Sequence, residues 1–139
     1  MVAKLVPELL IDDLDRSLAF YVGVVGFRVL YDRPEERFAY LDLGGAHLML
    51  EQMGVGRRFR VDVMEPPYGR GVSFQIEVAD VDALHGRVHA AGVGMVLPLE
   101  ERWYRRDEWE TGNRQFVVAD PDGYLMRFYA NLGQRPPAR

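Results

Sequence analysis

The sequence predicts an α+β fold built from two tandem β-α-β-β-β modules within a single domain, residues 1–139. The chain has 139 residues, the usual size of one domain. Apolar runs of strand length alternate with two segments of helical periodicity. The triplet Asp13-Leu14-Asp15 recurs as Asp80-Val81-Asp82, 67 positions later. Because two copies are too few for a solenoid, we expect the modules to pair their open sheets around a shared cleft.

The first module covers about residues 4–53. Residues 4–11 are an apolar run typical of a strand, and Asp13 is a good N-cap for a helix that extends to about Val22. Three more strands are predicted to follow, over residues 27–32, 38–43 and 46–53. The glycine pair at 44–45 predicts a tight hairpin between the last two.

The second module covers about residues 71–132 and repeats the order. A strand is predicted at 72–78, and Asp80 is the expected N-cap of a helix over 81–91. The later strands are predicted at residues 95–99, 115–119 and 124–129. Between the first two of these, residues 100–112 are polar and aromatic without a clear period, so we predict a loop there. The tail from Gly133 is predicted to fray.

Composition narrows the function classes. The chain has no cysteine, which excludes disulfides, thiolate zinc sites and a cysteine nucleophile. Its net charge is −4, the opposite sign from that of a typical nucleic-acid binder. No apolar stretch approaches the roughly 20 residues of a membrane span, and no signal peptide is recognisable. We therefore expect a cytoplasmic protein whose partner is a small molecule, without nucleic-acid or membrane contacts.

Several motifs carry a resemblance to a known family. The apolar strand with Leu9 and Ile11 leads to Asp13, the helix contains Ser17-Leu-Ala-Phe-Tyr21, and the second module contains the turn Asp120-Pro-Asp-Gly123. The turn precedes the last strand of the second module. With these motifs in this order, over about residues 4–132, the chain resembles the vicinal oxygen chelate superfamily. That superfamily includes glyoxalase I, extradiol dioxygenases, fosfomycin-resistance transferases and bleomycin-resistance proteins. The resemblance implies an open, cleft-bearing, barrel-like sheet and a homodimer.

The resemblance also identifies the positions where enzymes of this superfamily bind a divalent metal through His, Gln or Glu. In this sequence those positions are Val6, Met49, Ser73 and Arg127. None of these side chains is a usual ligand for such metals, and Arg127 brings a permanent positive charge. The resemblance therefore implies a member without metal, cofactor or catalytic residue, similar to the bleomycin-resistance branch, which sequesters a drug.

Two other interpretations remain open. A shift of two residues keeps the same strand faces inward and yields Glu8, Glu51, Gln75 and Tyr129. The first three could form an oxygen-rich metal site for a lyase, isomerase or dioxygenase; otherwise they line the cleft. In the third interpretation the chain is a regulatory domain that binds a metabolite.

Both tryptophans lie in the polar segment 100–112, together with a tyrosine. Large rings in such a segment either pack against the domain or a partner, or form a stacking surface for a flat ligand. Phe38, Tyr40 and Phe59 are further aromatic candidates. The expected ligand site, which suits a planar and partly cationic molecule, comprises Glu8, Phe38, Tyr40, Met49, Glu51, Ser73, Gln75, Trp103, Tyr104, Trp109 and Arg127.

Overall fold

The computed structural model describes residues 3–56, 59–60 and 62–137. The chain divides into two compact units. The first contains the described residues up to Arg70 together with Asp120–Tyr124, and the second contains Gly71–Ala119 and the chain from Leu125 onward. Within the described residues, no helix is both long and apolar enough to cross a membrane.

The first unit has one mixed four-stranded sheet. Its elements are strand β1 (Glu8–Ile11), helix α1 (Leu14–Leu18) with a π-helical continuation (Ala19–Val25), β2 (Arg28–Arg33), a short 3₁₀ turn (Pro34–Glu36), β3 (Phe38–Leu43) and β4 (Ala46–Gln52). The strand order is β1-β4-β3-β2, with β1 parallel to β4 and the other neighbours antiparallel. The first helical segment therefore ends three residues beyond the predicted Val22.

The second unit repeats this plan. It contains β5 (Ser73–Glu77), α2 (Val81–Ala90), β6 (Met95–Arg106), β7 (Trp109–Ala119) and β8 (Leu125–Arg135). The strand order is β5-β8-β7-β6, and β5 is parallel to β8. The predicted α+β class and the β-α-β-β-β order of each module are thus confirmed.

Both predicted N-caps are also confirmed. The Asp13 carboxylate accepts from the backbone N–H groups of Asp15 at 3.0 Å and Arg16 at 3.4 Å, and Asp80 accepts from Ala83 at 3.0 Å. Each bond satisfies an amide that the helix itself leaves unpaired, a contribution of about 1 kcal/mol.

The loop predicted over residues 100–112 is wrong. β6 continues through Arg106, and β7 begins at Trp109, so this segment is a long antiparallel hairpin. The tail predicted to fray from Gly133 also pairs, since β8 extends to Arg135, opposite Glu110. Most side chains in the outer part of β6 are partly or fully exposed. The apolar alternation that marks a strand with a buried face is therefore missing.

Strand register sorts the residues onto two faces of each sheet. In the first unit, Leu41 lies opposite Leu48 on a fully buried apolar face, while Phe38 lies opposite Glu51 on the other face. In the second unit, Phe116 lies opposite Phe128 on the core face, against which the His85 ring of α2 packs at 5.2 Å. The opposite, more polar faces of the two sheets carry the candidate functional residues.

Candidate ligand-binding sites

Five of the expected ligand residues share one face of the first sheet. Cross-strand pairing sets Phe38 opposite Glu51 and Tyr40 opposite Met49. Met49 is in turn the partner of Glu8 on β1. The structure therefore brings these five residues together on one surface of the first unit.

Glu51 is a buried carboxyl group on this face, with 4% of its surface exposed. Burial, a hydrogen bond with Glu8, and the negative charges of Glu8 and Glu36 raise the pKa of Glu51 to about 7, against a smaller opposing effect of Arg33. A Cβ atom added at Gly56 would lie 2.9 Å from Glu51 Oε1, so the loop after β4 packs directly on the carboxyl. Below about pH 7 the Glu51 carboxyl consequently keeps its proton, which forms the hydrogen bond with Glu8.

The aromatic rings on this face are already stacked within the protein. The Tyr40 ring lies parallel to that of Tyr31, with centroids 5.0 Å apart, and the Arg33 guanidinium lies 3.9 Å above the Phe38 ring. Phe38 is 2% exposed and Tyr40 is 6% exposed. These two rings therefore leave little of their own surface for a ligand.

A chain of polar groups anchors the far end of the same face. The Tyr40 hydroxyl lies 2.8 Å from His47 Nδ1, and His47 Nε2 lies 3.2 Å from the Asp42 carboxylate. Burial alone would raise the pKa of Asp42, but the Gly45 N–H, Arg28 and His47 together hold it below its usual value. Because Asp42 stays ionised and accepts from Nε2–H, His47 presents Nδ1 as the acceptor for the Tyr40 hydroxyl.

A cavity of about 350 Å³ opens beside Glu8 in the first unit. Leu10 and Tyr124 form part of its wall, and the Tyr124 hydroxyl donates to the Leu10 carbonyl oxygen at 2.8 Å. The remaining lining comes from the segment after β4: Phe59, Arg60, Asp62, Val63, Met64 and Gly69. Gly69 has φ +71°, and a Cβ there would lie 2.4 Å from the Tyr124 ring, so only glycine fits.

Phe59 is an aromatic candidate from the sequence, outside the expected ligand site, and no other residue of this segment was predicted to bind a ligand. One signal was present. Phe59 and Val63 are large apolar side chains in a polar segment, and they are 70% and 73% exposed. Exposed apolar groups that rim a cavity are typical of a ligand-binding surface.

In the second unit, three expected ligand residues line one cavity of about 320 Å³: Gln75, Tyr104 and Arg127. Tyr129, from the shifted set, lines it as well. Ser73 is exposed at the start of β5, opposite Leu125, and is not part of this lining. This cavity is polar, in contrast to the largely apolar one in the first unit.

The two tryptophans have different surroundings. The Trp103 ring covers Gly112, where a Cβ would lie 2.8 Å from the indole, and Arg135 lies 4.1 Å from the ring centroid. Trp109 is half exposed at the tip of the hairpin. Among the described residues, neither tryptophan belongs to the lining of the second-unit cavity. Trp103 packs on the backbone of its own hairpin.

The four positions at which the superfamily's enzymes bind metal do not fit a divalent cation in this chain. They offer an alkyl group at Val6, a thioether at Met49, a hydroxyl at Ser73 and a guanidinium at Arg127. Buried Arg127 Nε is a donor and would repel a cation. In the part of the chain that the structure describes, there is no group of three or more His, Asp or Glu residues suited to a metal.

The chain is similar in sequence to bleomycin resistance proteins and similar in fold to solved structures of related proteins. Bleomycin resistance proteins from Geobacillus stearothermophilus and Staphylococcus aureus are 27% identical over 136 residues, which is 91% of this chain and 96% of theirs. The crystal structure of TioX from Micromonospora sp. ML1 is 32% identical, with a TM-score of 0.71 over 94% of this chain and 99% of TioX. The fosfomycin resistance protein FosX from Listeria monocytogenes, at 21% identity and a TM-score of 0.60 over 94% of each chain, shares the fold.

A sequence profile of the family matches residues 5–128, which is most of the chain. The two-module fold and the Asp120-Pro-Asp-Gly123 turn are consistent with that match. The chain therefore belongs to the Glyoxalase/Bleomycin resistance protein/Dioxygenase superfamily.

Proposed function

We propose that this protein binds and sequesters a small organic molecule that carries a cationic group. It does so without a metal and without catalysing a reaction of that molecule. The observation that carries the proposal is the cavity of the first unit, where the Glu8 carboxylate lies beside the apolar side chains of Leu10 and Met64. A planar molecule with a protonated amine matches an apolar wall that carries acidic groups.

The charges around the cavity support a cationic ligand. Glu8 and Asp62 line it, against a single described cation, Arg60. Glu51 is hydrogen-bonded to Glu8 and provides a second carboxyl group that can ionise. A ligand cation beside Glu8 would favour loss of the Glu51 proton, and the Glu51 carboxylate would then strengthen binding.

The chemistry of the family's metal positions supports binding over metal catalysis. A thioether and a guanidinium cannot replace the imidazole or carboxylate ligands that these metals prefer. Relatives named bleomycin resistance proteins make bleomycin the first ligand to test. In this proposal the protein is a cytoplasmic homodimer, and its protection depends on affinity and abundance.

The test is calorimetric titration of the EDTA-treated protein with metal-free bleomycin. We expect saturable binding at low micromolar ligand or tighter, with bleomycin recovered unchanged by mass spectrometry. Glu8→Gln should weaken binding by about tenfold, the usual size of a lost charge pair at a partly exposed site. Glu77→Gln, which removes an exposed carboxylate of the second unit, is the matched control and should leave the affinity unchanged.

One result would exclude bleomycin as the ligand, and another would contradict the proposal. Absence of heat with bleomycin at two temperatures would exclude that ligand. Tight binding of Mn²⁺, Ni²⁺, Zn²⁺ or Fe²⁺ that is lost in both Glu8→Gln and Glu51→Gln would instead favour a metal-dependent enzyme that uses the shifted carboxylates.

A further inference from the structure

Arg127 projects from β8 into the second-unit cavity with its charge uncompensated. We infer that this cavity is an oxyanion site that takes the carboxylate of a small aromatic acid. The inference goes beyond the sequestration proposal, which rests on the first unit. A failed bleomycin titration would leave it standing, and the reverse also holds.

The first step is the unpaired donor. Arg127 Nε is buried and has no hydrogen-bond partner. Among the described residues, no carboxylate lies within ion-pair distance of its guanidinium. Buried charged donors in native proteins are almost always paired, so this unpaired donor, on a guanidinium that lines the cavity, indicates an absent acceptor.

The second step is the charge of the cavity wall. The charged side chains that line it are Arg106 and Arg127, and the described lining contains no acid. Glu100, on β6, is not part of the lining, and its carboxylate accepts from Gln115 Nε2 at 3.0 Å. Two guanidinium groups facing one small space favour an anionic occupant over a neutral or cationic one.

The third step is the set of neutral donors. Gln115 Nε2 also donates to the Tyr104 oxygen at 2.7 Å, so the Tyr104 hydroxyl hydrogen remains to bind an acceptor in the cavity. Asn113 uses one amide hydrogen on Gln115 Oε1 at 3.4 Å and keeps the other. The network thus holds Tyr104 and Asn113 in orientations that add donors to those of Arg127.

The shape of these groups selects a carboxylate. The planar guanidinium matches the two oxygens of a carboxylate in a paired, fork-like contact. Tyr104 and Tyr129 add ring surface to the same wall. A volume of about 320 Å³ lies at the small end of ligand cavities, which suits a single-ring acid.

The experiment follows the Nε–Hε signals of arginine in the ¹⁵N-labelled full chain during titration with benzoate. The Arg127 signal is assigned from its loss in Arg127→Gln. We expect benzoate to shift this signal saturably, whereas benzamide, which has the same shape without the charge, leaves it in place. Arg127→Lys keeps the charge but loses the fork, and should weaken benzoate binding by about tenfold.

Arg105→Gln is the matched control. It removes one positive charge from an exposed site on the same hairpin, outside the cavity lining, and should change the benzoate affinity by less than about twofold. Arg127→Met provides a folded, uncharged variant of similar volume in which benzoate binding should be lost.

Each other outcome overturns the inference. Equal shifts with benzamide would show that charge plays no part. Benzoate binding that survives in Arg127→Met would place the acid elsewhere. A response to inorganic phosphate without one to benzoate would replace the carboxylate with an inorganic oxyanion. No response to either at about 10 mM, about tenfold above a Kd of 1 mM, would leave no oxyanion site.

Discussion

Glu51 is almost completely buried and lies beside a second carboxyl group, that of Glu8. The stability of the fold therefore depends on the protonation state of Glu51. The folded-state pKa of about 7 lies above the ordinary 4.5. A raised carboxyl pKa contributes stability that is full below about 4.5 and is lost as the pH rises through about 7. Ionisation of Glu51 therefore destabilises the fold at neutral and alkaline pH.

Glu51→Gln removes this penalty. We expect the free energy of unfolding of the variant to exceed that of the natural chain at pH 8 by on the order of 2 kcal/mol, and the difference to vanish near pH 4.5. Urea denaturation across this pH range measures it. Glu77→Gln, a control at an exposed carboxylate, should track the natural chain at every pH. Parallel curves for Glu51→Gln and the natural chain would show that Glu51 titrates normally.

Arg127 is costly to stability for the same reason that makes it a candidate binding residue. Its buried Nε donor is unpaired, which costs about 1–3 kcal/mol in a folded protein. Arg127→Met keeps the volume and removes the donor, so we expect the free energy of unfolding to rise by about 1 kcal/mol and the Tm by a few degrees. A lower Tm than that of the exposed control Arg105→Met would show that the guanidinium stabilises the fold.

The strand period explains which site residues could be predicted from sequence. Glu8, Met49 and Glu51 share a face because alternate residues of a strand point the same way. Leu10 and Tyr124 meet at the cavity wall although they are 114 positions apart. The hydrogen bonds of Gln115 with Glu100 and Tyr104 could not be predicted from the sequence either, since a buried amide in a strand gives no periodic signal.

At the scale of elements, the β6–β7 hairpin shows the limit of pattern reasoning. Pro98 and two register shifts interrupt the first half of β6, which is tolerated because β6 is the edge strand of its sheet. Farther out, Arg102 pairs with Asn113 and Tyr104 with Thr111. Backbone hydrogen bonds and local contacts hold these polar pairs together. The amino-acid composition of this part of the hairpin therefore resembles that of a loop.

Packing of Trp103 on Gly112 is what we expect to hold this hairpin in shape. A Cβ at Gly112 would lie 2.8 Å from three ring atoms, so Gly112→Ala must displace the indole. We expect a loss of about 1–3 kcal/mol in the free energy of unfolding and a red shift of tryptophan emission. The control is Gly86→Ala in α2, where an added Cβ would meet nothing within 4 Å beyond its chain neighbours and the helix backbone, and this change should stabilise the fold by about 0.5–1 kcal/mol. Unchanged emission in Gly112→Ala would disprove the packing role.

At the scale of the whole molecule, the turn Asp120-Pro-Asp-Gly123 has a role that the repeat pattern did not predict. The turn interrupts the second module in sequence but belongs to the first unit. The Tyr21 hydroxyl donates to Asp120 at 2.6 Å, and Arg16 donates to Asp122 at 2.9 Å. Burial outweighs these hydrogen bonds and raises the pKa of both aspartates. The family's signature turn is thus joined by hydrogen bonds to the first helical segment, about a hundred positions earlier in the chain.

Because the first unit is completed only by this turn, its unfolding should be linked to that of the strands on either side of the turn, β7 and β8. Asp122→Ala removes the partner of Arg16, of the Ser17 hydroxyl and of the Asp12 N–H. Leaving such donors unpaired should lower the free energy of unfolding by about 2–4 kcal/mol.

Both tryptophans lie in the second unit, so their fluorescence reports on that unit, whereas far-UV circular dichroism reports on both. If the chain folds as one domain, the two signals must shift to lower denaturant together in Asp122→Ala and stay superimposed. A fluorescence transition that keeps its natural midpoint while circular dichroism moves would show instead that the units fold independently.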